Sequence, residues 1–199
     1  METTTYKVRL TFTEGVLGTC AANKDIYNEF IASKAPDAKT TEEEVEALGA
    51  ETVAEKGMTI FPKTEDGVPF FYDYQIKGFF KGACSFLRAI KGSESSKIKA
   101  YKKKIDGNIF VYPRQIEIKN YGEIGRCERP LRAQTMQGER VSLACSEEIP
   151  AGSYIDIEVE LYDEADYPLL EEWLDFGIKN GIGQWRSSGK GRFTYEFLD

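Results

Sequence analysis

A thirteen-residue segment close to the last residues of the sequence has the residue types that an anion-binding loop needs. It runs from Gly181 to Phe193 as Gly-Ile-Gly-Gln-Trp-Arg-Ser-Ser-Gly-Lys-Gly-Arg-Phe and holds four glycines and three cations. Glycine permits positive φ and close approach of a ligand, and successive exposed amides form an anion-binding concavity. The cations are Arg186, Lys190 and Arg192, and Trp185 adds a face for stacking.

This chemistry suits a phosphodiester chain better than one small phosphate. A Walker loop would need G-x-x-x-x-G-K-[ST], and a Rossmann fingerprint would open a helix, whereas this segment precedes a strand. The glycines predicted to contact the ligand are Gly181, Gly183, Gly189 and Gly191. A glycine-rich hairpin turn without a ligand is the alternative interpretation.

The composition removes several kinds of chemistry. The 199 residues include no histidine, which excludes Ser–His triads, histidine acid–base catalysis and histidine metal sites. The four cysteines form no C-x-x-C pair, so a zinc knuckle or redox pair is not expected. They are Cys20, Cys84, Cys127 and Cys145. We therefore expect a reduced, cytoplasmic protein with buried thiols and no metal or cofactor, and the sequence predicts neither a signal peptide nor a membrane span.

The net charge of −7 conceals a strong asymmetry along the chain. Between Lys77 and Arg140 there are 15 basic and 6 acidic residues, while the remainder has 11 basic and 27 acidic ones. Such a pattern can place a positive stripe on a negative particle, although solvated surface lysines would give the same counts.

Hydrophobic periodicity predicts the elements that position the glycine-rich segment. Strands are predicted at Tyr6–Thr13, Asn108–Lys119, Tyr154–Leu161 and Gly191–Leu198, with a further strand at Arg140–Ala144. One helix is predicted from Tyr74 to Ile90, and a second one opens at Asp166 and ends at Gly181. The order strand, helix, strand, strand, helix, strand is that of an α+β, ferredoxin-like fold, with two helices on one face of a four-stranded antiparallel sheet.

The two predicted helices have well-defined apolar faces. The residues predicted to face inward are Ile76, Phe79, Phe80, Ala83, Phe86, Leu87 and Ile90 in the first, and Leu169, Leu170, Trp173, Leu174 and Ile178 in the second. Gly78 and Gly82 lie within the first helix, where each costs about 1 kcal/mol relative to alanine. Their presence predicts close approach by a sheet or a ligand.

Two stretches between these elements are predicted to lack regular structure. The segment Gly92–Lys104 is basic and predicted to be mobile, and Gly122–Gly138 is predicted to be a loop. The loop holds Arg126, Arg129 and Arg132, which could contact phosphates or an acidic partner or be solvated. A turn is predicted at Glu148–Gly152.

Residues 20–73 are predicted to be an insertion within a single domain of residues 1–199. A short helix is predicted at Lys24–Ser33, followed by a loop around Pro36. Thr41 with Glu44 three residues later forms a capping box that opens an acidic, exposed helix.

The glycine-rich segment resembles the glycine-rich loop of the RAMP superfamily, the CRISPR-associated RNA-binding proteins with ferredoxin-like domains. The pattern is Gly-x-Gly-x-x-Arg-x-x-Gly-x-Gly-Arg-Phe, after a helix and before the final strand. Two weaker similarities occur in the same order: Ile76-Lys-Gly-Phe-Phe-Lys-Gly-Ala83 at the first family helix, and Ile149–Leu161 at the hairpin and third strand of backbone-type members. The resemblance covers residues 6–13 and 74–199.

The resemblance implies an RNA-binding role in antiviral defence. The loop would contact the RNA backbone, and Lys77 and Lys81 would lie on the helix facing it. Guide or target RNA, further copies of the chain and other CRISPR-type subunits are the implied partners, with no membrane.

Two other functions stay open from the sequence. A phage or mobile-element protein that mimics a CRISPR subunit and interferes with the complex would fit the acidic remainder of the chain. A metal-independent endoribonuclease would need a base other than histidine. Some family members cut target RNA with an aspartate after the first strand, where Asp25 and Asp37 occur here, but no motif identifies either.

Overall fold

The chain forms an α+β structure, as the sequence predicts. The computed structural model describes residues 3–21, 57–135 and 138–199, and only the backbone of residues 131–143. The strands in these ranges are β1 Thr4–Phe12, β2 Val16–Leu17, β3 Cys20–Ala21, β4 Thr59–Ile60, β5 Phe70–Tyr72, β6 Ile109–Tyr112, β7 Gln115–Lys119, β8 Gly125–Thr135, β9 Gly138–Ile149, β10 Tyr154–Leu161 and β11 Phe193–Leu198. The helices are α1 Asp73–Leu87, α2 Tyr101–Asn108 and α3 Tyr167–Asn180.

The main sheet has the strand order β11-β1-β10-β7-β5, and β6 also pairs with β10. All of these pairings are antiparallel. Strand β1 is an interior strand, because it pairs with β10 from Thr4↔Leu161 to Thr11↔Tyr154 and with β11 on its other side. The single strand predicted over residues 108–119 is divided into β6 and β7 at Pro113.

Helices α1 and α3 pack on one face of this sheet and form the core with it. Val8 and Leu10 of β1 and Trp173 of α3 are completely buried, and the ring centroids of Trp173 and Phe80 of α1 are 5.5 Å apart. The alternating residues Lys7 and Arg9 lie on the opposite face, which these helices leave open. The glycine-rich loop follows the C-terminal end of α3, and its residues Ile182 and Gly183 line one groove with Gly78 and Phe79 of α1.

A second sheet extends from the end of β1. Its order is β2-β9-β4-β3, with β8 forming a long antiparallel hairpin with β9. The loop predicted at Gly122–Gly138 is therefore wrong over most of its length, because Gly125–Thr135 is a strand. The predicted strand at Arg140–Ala144 lies within β9, and β9 continues to Ile149, into the predicted turn at Glu148–Gly152.

Three predicted inward residues are exposed. Phe86 is 64% exposed, Ile90 56% and Ile178 41%. Helix α1 ends at Leu87, so Ile90 lies beyond the helix that was predicted to turn it inward. In addition, the segment predicted to be mobile at Gly92–Lys104 holds a 3₁₀ turn at Ser95–Lys97 and the first four residues of α2.

The structure describes only the two ends of residues 20–73, the segment predicted to be an acidic insertion. The helices predicted at Lys24–Ser33 and from Thr41, the loop around Pro36, and the residues Asp25 and Asp37 lie outside the described residues. The four cysteines are free, with Cys84 and Cys145 buried and the other two half-buried. None of the described helices is long and apolar enough to cross a membrane.

Candidate nucleic-acid interface

The glycine-rich loop is closed at its base by backbone hydrogen bonds. The amide of Ile182 donates to the carbonyl of Gly191 at 2.9 Å, and the amide of Gly191 donates to the carbonyl of Gly15 at 2.9 Å. A Cβ added at Gly191 would lie 1.9 Å from the carbonyl oxygen of Ile182, and one at Gly181 would lie 2.5 Å from that of Lys190. Glycine at these two positions is required for the base to close.

The tip of the loop is also built from unusual backbone conformations. All four loop glycines have positive φ, and so does Trp185 at 55°. Trp185 precedes a 3₁₀ turn at Arg186–Ser188 and is 37% exposed. A bulky residue in the left-handed region is strained by about 1–3 kcal/mol and persists only when its surroundings hold it. The tip therefore presents an indole ring from a backbone that other residues must fix.

Arg129 of β8 is the residue that fixes the tip. Its two terminal nitrogens donate to Gln184 Oε1 at 2.8 Å and to Ser146 Oγ at 3.1 Å, and its guanidinium lies 5.3 Å from the Trp185 ring centroid. Arg129 is only 6% exposed. The sequence predicted an RNA or partner contact for Arg129, but the structure gives it contacts within the protein that join the second sheet to the loop.

Arg186 lies against helix α1 beside an open groove. Its Nη1 is 3.8 Å from the position that a Cβ would take at Gly82. The groove has a volume of about 230 Å³ and is lined by Thr19, Phe71, Gln75, Gly78, Phe79, Ile182, Gly183 and Arg186. Loop and helix therefore share one concave surface.

The two glycines of α1 face this concave surface. Among the described residues, no atom lies within 4 Å of a Cβ built at Gly78, and at Gly82 the only such contact is the end of the Arg186 side chain. The described part of the protein thus has no packing reason for glycine at either position. The bare helix backbone gives a ligand room to approach closely.

The three predicted cations of the loop differ in whether they form an ion pair with a carboxylate. Among the described residues, neither Arg186 nor the exposed Arg192 has an ion-pair partner. Lys190, in contrast, is paired with Glu148 of β9 at 2.5 Å, and the hydrogen bond from this carboxylate raises the pKa of Lys190. Arg186 and Arg192 are therefore the loop cations available to an anionic ligand.

Lys77 and Lys81 are directed to helix α2, away from the groove. Lys81 forms an ion pair with Asp106 at 2.5 Å, and Lys77 donates to the Asp106 carbonyl at 3.3 Å and lies 4.9 Å from the Phe110 ring centroid. Burial lowers the pKa of Lys77, and the charge of Asp106 opposes that shift. In this arrangement the two lysines do not join the loop cations.

The remaining predicted arginines lie on the β8–β9 hairpin. Arg126 is paired with Glu128 at 3.2 Å and also contacts Cys145 Sγ. Arg132 is in β8, where only the backbone is described. The described residues contain no group of three or more histidine, cysteine, aspartate or glutamate side chains that could hold a metal ion.

Together these features form a surface that can bind a polyanion through charge, exposed backbone and an aromatic ring. The groove-lining side chains include no ionisable group besides Arg186.

Comparisons with known proteins find similar folds among solved structures. No family model matches the sequence, and no curated protein matches it. The fold is similar to a chain in the structure described as "Cryo-EM structure of the Type III-B Cmr-beta bound to cognate target RNA", with a TM-score of 0.56 and 12% sequence identity. The alignment covers all of this chain and 61% of the other, so the chain spans about three fifths of its length. At this identity the similarity concerns the fold.

Proposed function

We propose that this chain is an RAMP-type RNA-binding domain that contacts an RNA backbone through the Gly181–Gly191 loop and the neighbouring face of α1. The proposal includes a ferredoxin-like fold, one domain over residues 1–199, and residues 20–73 as an insertion. The main sheet supports the fold, since its order β11-β1-β10-β7 places the fourth, first, third and second strands of a βαββαβ unit side by side. Helices α1 and α3 are then the two crossover helices.

The observation that carries the proposal is the position of Arg186 over Gly82. A guanidinium without an ion pair among the described residues lies beside a helix face that is bare at Gly78 and Gly82. Arginine binds phosphate through a planar fork of donors, and glycine lets a sugar–phosphate chain reach the surface. The similar fold belongs to a complex whose description names target RNA, which supports RNA as the ligand and other subunits as partners.

The primary test is RNA binding by an Arg186→Ala/Arg192→Ala double variant, measured by fluorescence anisotropy over a series of salt concentrations. Each phosphate contact that is lost should lower the slope of log affinity against log salt by about 0.7 for single-stranded RNA. For this double variant we expect a slope whose magnitude is smaller by about 1.4, and a weaker affinity at low salt.

A matched control separates this site from overall charge. Lys102→Ala/Lys103→Ala removes two exposed cations from α2 and changes the net charge equally. We expect it to keep most of the affinity. Equal losses in both double variants would show that binding follows net charge alone, and an unchanged slope in the loop variant would refute the proposal.

Substitution of a glycine in α1 is a second test, because the helix should become more stable while the RNA affinity should fall. Gly78→Ala should stabilise the helix by up to about 1 kcal/mol, because alanine has the higher helix propensity and Gly78 faces open space. The added methyl group should nevertheless weaken RNA binding. Gly107→Ala in α2 is the control, since Gly107 is also helical and unobstructed but lies outside the groove. It should leave the affinity unchanged.

A protein-binding role has separate support from the open face of the main sheet. A hollow of about 550 Å³ on this face is lined by Glu117, Asp156 and Glu158 as well as Lys7, Lys119 and the exposed ring of Tyr112. Asp156 is paired with Arg9 and Lys119, whereas Glu117 and Glu158 have no ion-pair partner among the described residues. These two carboxylates disfavour RNA there and favour a subunit with basic groups. Glu117→Gln/Glu158→Gln should weaken salt-sensitive association with a partner subunit, measured by sedimentation velocity, while leaving RNA affinity intact.

A further inference from the structure

We propose that the exposed pair of Phe86 and Phe176 is a stacking site for one unpaired base of the bound RNA. This inference rests on the proposed function and adds a base-binding subsite to it. Phe86 of α1 is 64% exposed, although it is a large apolar side chain. Its ring is stacked on Phe176 of α3, with centroids 5.9 Å apart and planes inclined by 21°. One face of an aromatic pair is thus presented to solvent.

The pair lies on the continuation of the groove. Gly78, Gly82 and Phe86 are spaced four residues apart, so they lie on one stripe of the helix. With a rise of 1.5 Å per residue, Phe86 is about 6 Å beyond Gly82 along the axis. Arg186 rests at Gly82, so a nucleotide whose phosphate meets this guanidinium can place its base on the Phe86 ring.

The surrounding charges favour an anionic chain at this point. Lys179 follows Phe176 by three residues on α3 and, among the described residues, has no ion pair with a carboxylate. The acidic side chains of α3 hydrogen-bond within the protein instead: Glu171 accepts from Tyr167, Glu172 from Ser95 and Asp175 from Tyr195. An apolar ring between Arg186 and Lys179 matches the alternation of base and phosphate in a single strand.

Base stacking makes a prediction that simple apolar contact does not. Stacking requires an aromatic ring and an unpaired base, and it tolerates any base because every base has a π-face. Phe86→Leu should therefore lower the affinity for a single-stranded oligouridine about tenfold. Phe86→Trp should retain it, and the affinity for fully duplex RNA should not change in either variant.

The experiment measures anisotropy with these two variants and with Tyr162→Leu, which removes an exposed aromatic ring just after β10 and should have no effect. A single-stranded RNA containing 2-aminopurine gives a direct readout, because its fluorescence should be quenched by the wild-type chain and not by Phe86→Leu. Wild-type affinity of Phe86→Leu, or an equal loss on duplex RNA, would overturn the stacking site. The same result would favour a partner protein as the ligand of this patch.

Failure of this inference can be told apart from failure of the proposed function. If Arg186→Ala/Arg192→Ala loses RNA affinity while Phe86→Leu does not, the RNA interface is supported and the stacking site is refuted. If the wild-type chain binds no RNA, both the proposed function and the stacking site are refuted.

Discussion

The guanidinium carbon of Arg129 lies 5.3 Å from the ring centroid of Trp185, and this contact joins the second sheet to the tip of the glycine-rich loop. Arg129 comes from the long hairpin, whereas Trp185 follows the last helix. The buried arginine holds a strained, left-handed residue through the side-chain amide of the neighbouring Gln184. The loop is therefore shaped by a residue 56 positions earlier in the sequence, and its geometry depends on the hairpin being in place.

Replacement of this arginine should destabilise the protein. Arg129→Met keeps most of the side-chain volume but leaves Ser146 Oγ and Gln184 Oε1 without their donor. We expect a loss of about 2 kcal/mol in the free energy of unfolding, measured by urea denaturation. Arg126→Met on the same strand is exposed and should change it by less than about 0.5 kcal/mol. Equal effects of the two variants would contradict the role assigned to Arg129.

The closure of the loop predicts a large steric cost at Gly191. Gly191→Ala combines positive φ with a Cβ that would lie 1.9 Å from a carbonyl oxygen, so we expect a loss of about 3 kcal/mol or more by urea denaturation. Gly67→Ala is the control, because Gly67 has φ +82 and no described atom lies within 4 Å of a Cβ built there. It should cost about 1 kcal/mol, and the difference measures the clash. Similar costs would mean that the base of the loop can open without penalty.

Glu148 should restrain RNA binding by neutralising Lys190. Glu148→Gln removes the partner of Lys190 and leaves a third free cation on the loop, so affinity should rise and the salt slope should steepen by about 0.7. Glu147→Gln is the control: the neighbouring carboxylate pairs with Lys63 and its removal changes the net charge equally. If both variants gain the same affinity, the effect is one of net charge and not of Lys190.

An acid-sensitive contribution to stability is expected from Asp156 on the open face of the main sheet. The hydrogen bond from Arg9, assisted by Lys119, lowers the pKa of Asp156 below its ordinary value of 3.8. A lowered folded-state pKa stabilises the protein above the unfolded-state pKa, and this contribution is lost as the pH falls through the folded-state value. Asp156→Asn should cost about 1 kcal/mol at pH 7, and the difference from wild type in urea denaturation should shrink as the pH falls below 3.8. A constant difference would exclude ionisation as its cause.

The sequence predicted those elements whose own residues define them. Strand β10 alternates Ile155, Ile157 and Val159 with acidic residues, and α3 has four apolar residues at helical spacing, so local pattern and final structure agree. Strand β8 was missed because its side chains lack such alternation; backbone pairing with β9 defines it instead.

In the candidate site, too, the sequence predicted what depends on local residues and not what depends on contacts between distant ones. The glycines identified the loop, since positive φ is a local requirement. The ion-pair partners of these cations were not predictable, because Glu148 lies 42 residues from Lys190 and Asp106 lies 25 residues from Lys81. The motif and the family resemblance predicted five loop and helix cations for RNA. Among the described residues, Lys81 and Lys190 form ion pairs and Lys77 donates to a backbone carbonyl, whereas Arg186 and Arg192 have no ion-pair partner.

Two adjacent carboxylates of β9 point to opposite faces of the second sheet. Glu147 forms an ion pair with Lys63, and Glu148 forms one with Lys190. Neighbouring residues of a strand point to opposite faces, so a slip of one position would exchange their roles. Lengthening or shortening the hairpin by a single residue before this pair would therefore disturb the loop more than most point substitutions, whereas a change of two residues would restore the alternation. Variation in the length of this hairpin is expected to occur in even steps.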